Sequence, residues 1–344
     1  MQARYQKYIL NFKRPSGTSR GVLRKKETWF LILEENKKKG IGECGLLRGL
    51  SADDRPDYEE KLGWVCSNIS LGREQLYNEL WEFPSIQFGL EQAFTSLNAP
   101  TPFSLFPSNF SKGKETIPIN GLIWMGGETY MRKQIDEKLK EGFRCIKMKI
   151  GALDFDREIS LLEALRKKYP REQMELRVDA NGAFSAQEVL TKLKRLAALD
   201  IHSIEQPIKP GQSLAMKKLC KESPLPIALD EELIGIFNGD KKEELLRTIS
   251  PQYIILKPSF IGGYQGAKEW IRLAKKYGIG WWVTSALESN IGLNAIAQWT
   301  YTLNNTVPQG LGTGALFSNN FDGPLTVEQG RLHHKEDKPW KVNL

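Results

Sequence analysis

From about residue 118 onward, short apolar runs alternate with longer stretches in which apolar residues recur every three or four positions. The short runs predict strands over 118–124, 145–150, 175–179, 201–205, 226–230, 253–257 and 280–285. The stretches between them predict helices over 130–140, 156–168, 186–198, 214–221, 241–247, 266–277 and 293–303. In the second of these, Ile159, Leu162 and Leu165 fall on one helical face. A further strand-like segment, 308–312, follows the last helix. Repeated β-α units of this size predict a parallel sheet, and about eight of them a closed barrel. The expected class is therefore α/β, a (β/α)7β TIM-like barrel over residues 116–317.

The first hundred or so residues follow a different pattern. Strands are expected over 28–34 and 41–44, and helices over 74–80 and 85–96. This predicts an α+β capping domain over 1–115. The segment from 318 to 344 is too irregular for assigned elements and is expected to pack back on the cap. Between Arg14 and Arg24, Ser, Gly and Thr dominate between basic residues. A mobile loop and a plain surface hairpin turn both satisfy that composition.

Five charged residues end successive predicted strands: Lys149, Asp179, Glu205, Asp230 and Lys257. They are 25 to 30 residues apart, one β-α unit each time. Strand C-termini in such a barrel converge on one mouth. Side chains alternate between the faces of a strand. The preceding residues Met148, Val178, Ile204, Leu229 and Leu256 are apolar and suit the helix layer. The five charges, with Lys147, Arg177 and Asn181, then face the barrel interior. Inward charges are costly unless paired or metal-bound. Asp179, Glu205 and Asp230 form an all-oxygen set that suits Mg²⁺, and no His or Cys joins them as zinc would require. The bland alternative is a salt-bridge network with the lysines. Lys149 and Lys257 flank the carboxylates. A lysine beside another cation, as Lys149 is beside Lys147, is a candidate base. Either lysine could instead be a counter-ion, and for Lys257 that alternative is strong.

Taken together, Lys147-Met148-Lys149, Val178-Asp179-Ala180-Asn181, Ile204-Glu205-Gln206-Pro207, Asp230-Glu231, and Lys257-Pro258-Ser259 with Gly262-Gly263 resemble the enolase superfamily. The K-x-K pattern with an opposed lysine marks its muconate-lactonizing subgroup. The resemblance covers nearly the whole chain. It implies Mg²⁺ on Asp179, Glu205 and Asp230, catalysis by Lys149 and Lys257, and ligand orientation by Asn181 and Glu231. It also implies that Lys147 meets a substrate carboxylate and that cap loops 14–24 and 46–51 close over the substrate. The run Thr284-Ser285-Ala286-Leu287-Glu288-Ser289 is similar to the branch that dehydrates a succinyl-bearing hydroxycyclohexadiene carboxylate in menaquinone synthesis. In that branch Ser285 would bind a substrate carboxylate, although a turn or cap role fits it equally. Racemases and epimerases of N-acylated amino acids, and cycloisomerases, share the same motifs and stay open. Mandelate-racemase-type enzymes need a barrel histidine, and His202, His333 and His334 are out of place for it. Dipeptide epimerases carry a late D-x-D, where this chain reads Asn320-Phe321-Asp322. Phe184 stands where relatives often have Trp, a change expected to affect packing alone.

The remaining bulk properties narrow the setting. The chain of 344 residues is 40% hydrophobic and 26% charged, ordinary for a globular protein. Its longest apolar run, 29–33, is too short to span a membrane, and the first 14 residues lack the apolar core of a secretory signal. Cys44, Cys66, Cys145 and Cys220 are scattered without a C-x-x-C, as expected of reduced thiols in a cytoplasmic protein. The net charge of +8 reads as a lysine-rich surface that also steers an anionic small molecule, a dicarboxylate in the resembling branch. No basic stripe interleaved with aromatics points to nucleic acid.

Overall fold

The computed structural model describes residues 1–18 and 21–344. Its first three strands, β1 (Gln2–Thr18), β2 (Gly21–Glu35) and β3 (Lys38–Cys44), form an antiparallel sheet in that order. The apolar run 29–33 is continuous because both faces of this sheet are covered. Trp29, Leu31 and Leu33 pack toward the helices, whereas Phe30 and Ile32 pack with Ile41, Ile291 and Phe321. All five side chains of the run are fully buried, each contributing about 1.5–3 kcal/mol of transfer free energy.

Helices α1 (Tyr58–Ser67), α2 (Gly72–Glu79) and α3 (Pro84–Asn98) complete this unit. Helix α3 lies directly on the backbone of β3. A Cβ at Gly42 would sit 1.9 Å from the Gly89 carbonyl oxygen, so Gly42→Ala would force the two elements apart. The polar residues of α3 are buried but bonded: Ser96 accepts from the Ile41 amide (3.0 Å), and Gln92 donates to the Glu43 carbonyl (3.0 Å). Neither β1 nor α1 was foreseen. Of the two readings of 14–24, the hairpin fits: β1 and β2 pair antiparallel through the segment, Ser16 with Leu23, Gly17 with Val22 and Thr18 with Gly21. Positions 19 and 20 lie outside the described residues. The low hydrophobicity there is offset by ladder hydrogen bonds and by a bridge from Gly17 to Met125.

After β4 (Ile117–Pro118) come the barrel strands β5 (Gly121–Ile123), β6 (Cys145–Lys149), β7 (Glu175–Asp179), β8 (Ser203–Glu205), β9 (Ile227–Leu229), β10 (Tyr253–Leu256) and β11 (Gly280–Val283). They form one parallel sheet in chain order. The alternating helices are α4 (Glu128–Lys140), α5 (Phe155–Lys168), α6 (Val189–Ala197), α7 (Ser213–Glu222), α8 (Gly239–Ile249), the short α9 (Pro258–Ile261), α10 (Gly263–Lys276) and α11 (Asn290–Thr302). The sheet closes through Gln309 and Gly310, which bridge in parallel to Ile119 on one side and Thr284 on the other. This segment is the eighth strand, so the sheet is a ring, as the β/α alternation predicts. Gly310 is required there, because a Cβ would lie 2.4 Å from Thr284 Oγ1.

The last segment has more order than its sequence suggested. Strands β12 (Leu325–Glu328) and β13 (Arg331–His334) form a hairpin whose second strand pairs with β4. On either side of it, Phe321 packs on Tyr8 and Phe30, and Trp340 stacks on Phe103 at 4.4 Å. All four cysteines are free. Among the described residues no helix is long and apolar enough to cross a membrane.

Glu91 of α3 ties the two units together, accepting from the amides of Tyr264 (2.5 Å) and Gln265 (3.2 Å) at the start of α10. Burial outweighs these bonds and pushes its carboxyl up to about 7 from about 4.5. A folded value above the unfolded one means stability present below about pH 4.5 and lost as pH rises through about 7. Against Glu91→Gln, the wild type should therefore lose up to about 3 kcal/mol between those limits. Parallel stability–pH curves for the two proteins would contradict this.

Candidate active site

The row of charged residues forms as the alternation required. Lys149, Asp179 and Glu205 end β6, β7 and β8 in register, Lys149 beside Asp179 and Asp179 beside Glu205. Asp230 follows β9 directly and Lys257 follows β10. Met148, Val178, Ile204, Leu229 and Leu256 are buried on the opposite face, in the core shared with the helices.

The inward side chains form alternating ion pairs. Lys147 Nζ donates to both oxygens of Glu205 (3.0 and 2.8 Å) and lies 3.5 Å from Asp179. Lys149 Nζ donates to Asp179 Oδ2 (2.9 Å) and Asn181 Oδ1 (2.7 Å). Lys257 pairs with Asp230. Asn181, at φ 44°, turns its amide back to Asp179 Oδ1 (3.0 Å) and donates through Nδ2 to Glu231 Oε1 (3.1 Å). That left-handed backbone suits Asn better than most side chains.

Gln206 was not singled out as a site residue, yet it clamps the segment after its own strand to the end of β9. Its Oε1 accepts from the amides of Asp230 and Glu232 (3.2 Å each), and its Nε2 donates to Ile208 O and Glu232 Oε2 (3.0 Å each). Only the Glu205-Gln206-Pro207 motif hinted at it.

Burial and charge pull the carboxyls apart. Burial disfavours the Asp179 carboxylate, but the ammoniums of Lys149, Lys147 and Lys257 outweigh it and hold Asp179 far below the usual range. Glu205 is pushed up to about 7, chiefly by burial, with Asp179 and Asp230 adding repulsion that Lys147 only partly offsets. Lys147 would be lowered by burial, but Glu205 and Asp179 hold it above its ordinary value. We take Lys147–Glu205 as an ion pair, since both oxygens lie within 3.0 Å of an ammonium held cationic.

Among the described residues no three carboxylates, histidines or cysteines are drawn into a closed metal shell. Each of the three acids turns to a lysine instead. Three crowded, buried oxygen ligands are nevertheless a donor set suited to a hard divalent cation. Such a cation would relieve the repulsion that raises Glu205.

Above this row lies a pocket that opens to solvent. Its apolar wall comes from Leu23, Leu47 and Leu50 of the cap, and from Leu122, Trp124 and Leu287 of the barrel. Both segments expected to cover the site, 14–24 and 46–51, thus contribute. Its polar wall includes Asn120, Thr284, Ser285 and Thr313. Ser285 and Thr313 share a hydrogen bond between their hydroxyls (2.6 Å). Asn120 and Thr313 escaped the sequence, because only closure of the barrel brings them to the mouth.

Other candidates fall elsewhere. Arg177 lies in the barrel floor, stacked 4.1 Å over Trp282 and bonded to Glu175 (2.6 Å) and Pro308 O (3.0 Å). It is a buried structural cation and does not line the pocket. Phe184 packs edge-on against Phe155 under Lys192. Asn320 bonds the Asn290 amide and the Gly314 carbonyl, and Asp322 faces solvent beside Lys341.

Residues 130–339 match the family described as Enolase C-terminal domain-like. The chain is 45% identical to an o-succinylbenzoate synthase of Desulfotalea psychrophila, over 96% of this chain and 98% of that protein. It is 25% identical to an o-succinylbenzoate synthase of Bacillus subtilis, over 85% of this chain and 81% of that protein. Among solved structures, MenC from Desulfotalea psychrophila superposes with a TM-score of 0.86 at 41% identity, covering 97% of this chain and 99% of that one. A muconate lactonizing enzyme from Pseudomonas fluorescens shares the fold, with a TM-score of 0.83 at 20% identity over 99% of this chain and 96% of that one.

Proposed function

The chain belongs to the Enolase C-terminal domain-like family, and from that footing we propose that it is an o-succinylbenzoate synthase. It would dehydrate 2-succinyl-6-hydroxy-2,4-cyclohexadiene-1-carboxylate to 2-succinylbenzoate, with residues 1–115 and 318–344 as cap and 116–317 as catalytic barrel. The observation that carries this is the placement of the two lysines. Lys149 ends β6 and Lys257 follows β10, four strands on in a ring of eight, so they face each other across the three carboxylates. The match along nearly the full length of a relative of that activity supports the same reading.

Asp179, Glu205 and Asp230 would hold Mg²⁺, which when bound supplies Lewis-acid stabilisation of negative charge on the substrate carboxylate. Asn181, bonded to both Lys149 and Glu231, would keep the neighbouring groups oriented. Lys149 takes the proton from the carbon bearing the ring carboxylate. It then returns that proton to the departing hydroxyl, so C–H and C–O bonds break, water leaves and the ring becomes aromatic. Lys257, opposite, offers a positive charge to the electron-rich intermediate. Lys147 and the Ser285–Thr313 pair offer donors to carboxylate oxygens. The leucines and Trp124 exclude water from the ring. Four free cysteines accord with a cytoplasmic setting.

The test is to add metal-stripped protein to the diene and follow its absorbance with and without Mg²⁺. Rapid loss only with Mg²⁺ is expected. No turnover by folded, Mg²⁺-bound protein would discard the substrate. Opposed lysines also suit racemisation of N-succinylamino acids, one removing and the other delivering the proton. Deuterium wash-in at the α-carbon would reveal that activity.

A further inference from the structure

A second set of buried charges lies where cap meets barrel, outside the row described above. Glu43 of β3 is fully buried. Its Oε1 accepts from Thr28 Oγ1 (2.9 Å) and the Ser289 amide (2.9 Å). Its Oε2 accepts from Ser289 Oγ (2.5 Å) and the Gly292 amide (2.9 Å). A cap carboxylate thus satisfies the start of barrel helix α11. Glu288, also fully buried, accepts from Ser259 Oγ and from the Ala286 amide (2.6 Å). Gly45 of the cap rests on that pair: a Cβ there would lie 2.8 Å from Ser259 Oγ and 3.2 Å from Glu288 Oε1. Lys26 of β2 is 3% exposed, and its ammonium has no hydrogen-bond partner among the described residues. Burial lowers its proton affinity, and Glu43 and Glu288 are the nearby acids that oppose this.

Chain connectivity gives this cluster its purpose. Ser259 is two residues beyond Lys257, and Glu288 is three beyond Ser285. Gly45 is two before Leu47, which walls the pocket. We propose that Glu43 and Glu288, with Lys26 as their shared counter-charge, form a latch that sets the cap loop against the strand ends carrying Lys257 and Ser285. They are positioning residues for the pocket and touch no substrate. The consequence for turnover rests on the function proposed above, but the latch itself does not.

The experiment uses the full chain with Lys26→Met, Glu288→Gln and the double variant. Lys26→Met leaves two buried acids without their counter-charge, so KM for the diene should rise roughly tenfold with kcat within about threefold, whereas Glu288→Gln leaves Glu43 with Lys26 and should raise KM less. The double variant, with Glu43 the one acid left, should be less impaired than Lys26→Met, because the two sites are coupled. Amide hydrogen exchange over residues 45–51 and 285–289 should quicken most in Lys26→Met and recover in part in the double variant, with the β1–β2 ladder unchanged. Additive KM effects, or unchanged exchange in both segments, would overturn the latch. If a charge variant fails to fold, Gly45→Ala inserts a wedge at the same contact without altering charge, and should quicken exchange over 45–51. If the wild type does not turn over the diene, the substrate assignment fails while exchange still decides the latch.

Discussion

Replacing Lys149 with alanine should lower kcat by roughly 10³–10⁴-fold, the full worth of a positioned acid–base group. Two features put the effect at the upper end. The same nitrogen is asked to take a proton and to deliver it to the leaving hydroxyl, so its loss removes both transfers. No other described base stands in for it on that side: Lys147 is held by Glu205 and Asp179, and Lys257 lies across the ring. Binding should change little, because the apolar walls and Ser285 remain. Single-turnover measurement at saturating substrate and Mg²⁺ isolates the chemical step. A variant retaining a tenth of wild-type kcat would show that Lys149 is a counter-ion to Asp179 and nothing more.

Glu205→Gln should have the second largest effect, and in two currencies. Glutamine keeps the shape but not the charge at the centre of the carboxylate row. Lys147, 7% exposed, is then left with Asp179 at 3.5 Å as its nearest acid. Removing one partner of a buried pair costs about 3–5 kcal/mol, and the raised proton affinity of Glu205 argues for the lower figure. Activity should fall on the order of 10³-fold with weakened Mg²⁺ binding, since one of three proposed ligands is gone. Urea unfolding of metal-free protein reads the first loss, and calorimetric Mg²⁺ titration the second. Wild-type Mg²⁺ affinity in this variant would remove Glu205 from the ligand set, whatever happened to stability.

Much of this site was legible because a barrel converts spacing into position. Charged residues one β-α unit apart, each preceded by an apolar residue, have few other arrangements. The pairing of Lys149 with Asp179 follows from register, whereas Lys147, level with Arg177 and Ser203, reaches diagonally to Glu205 two strands away. What stayed hidden depends on contacts the local pattern does not encode. Strand β1 carries Arg4, Lys7, Lys13 and Arg14 among its apolar residues, so its alternation is blurred on the solvated face. Helix α1 did carry a signal, Tyr58, Leu62 and Val65 on one face, in a stretch to which no element was assigned. Glu43 and Ser289 are 246 residues apart, and nothing near either predicts the other. Asn120 and Thr313 reach the pocket only once residues 309–310 have closed the ring.

That closing strand has a consequence of its own. On one side the seam is held by Gly310 N to Val283 O (2.8 Å) and Ser285 N to Gly310 O (3.1 Å). On the other it is held by Asn120 N to Gln309 O (3.0 Å) and Gln309 N to Pro118 O (2.9 Å). Every other join in the sheet is a ladder between named strands, so the ring resembles a bracelet with one small clasp. Asn120, Thr284, Ser285, Gly310 and Thr313 all border the pocket at that clasp. A substitution at the clasp would therefore reshape the polar wall of the pocket directly, while the spacing of lysines and carboxylates on the other strands stays as it was.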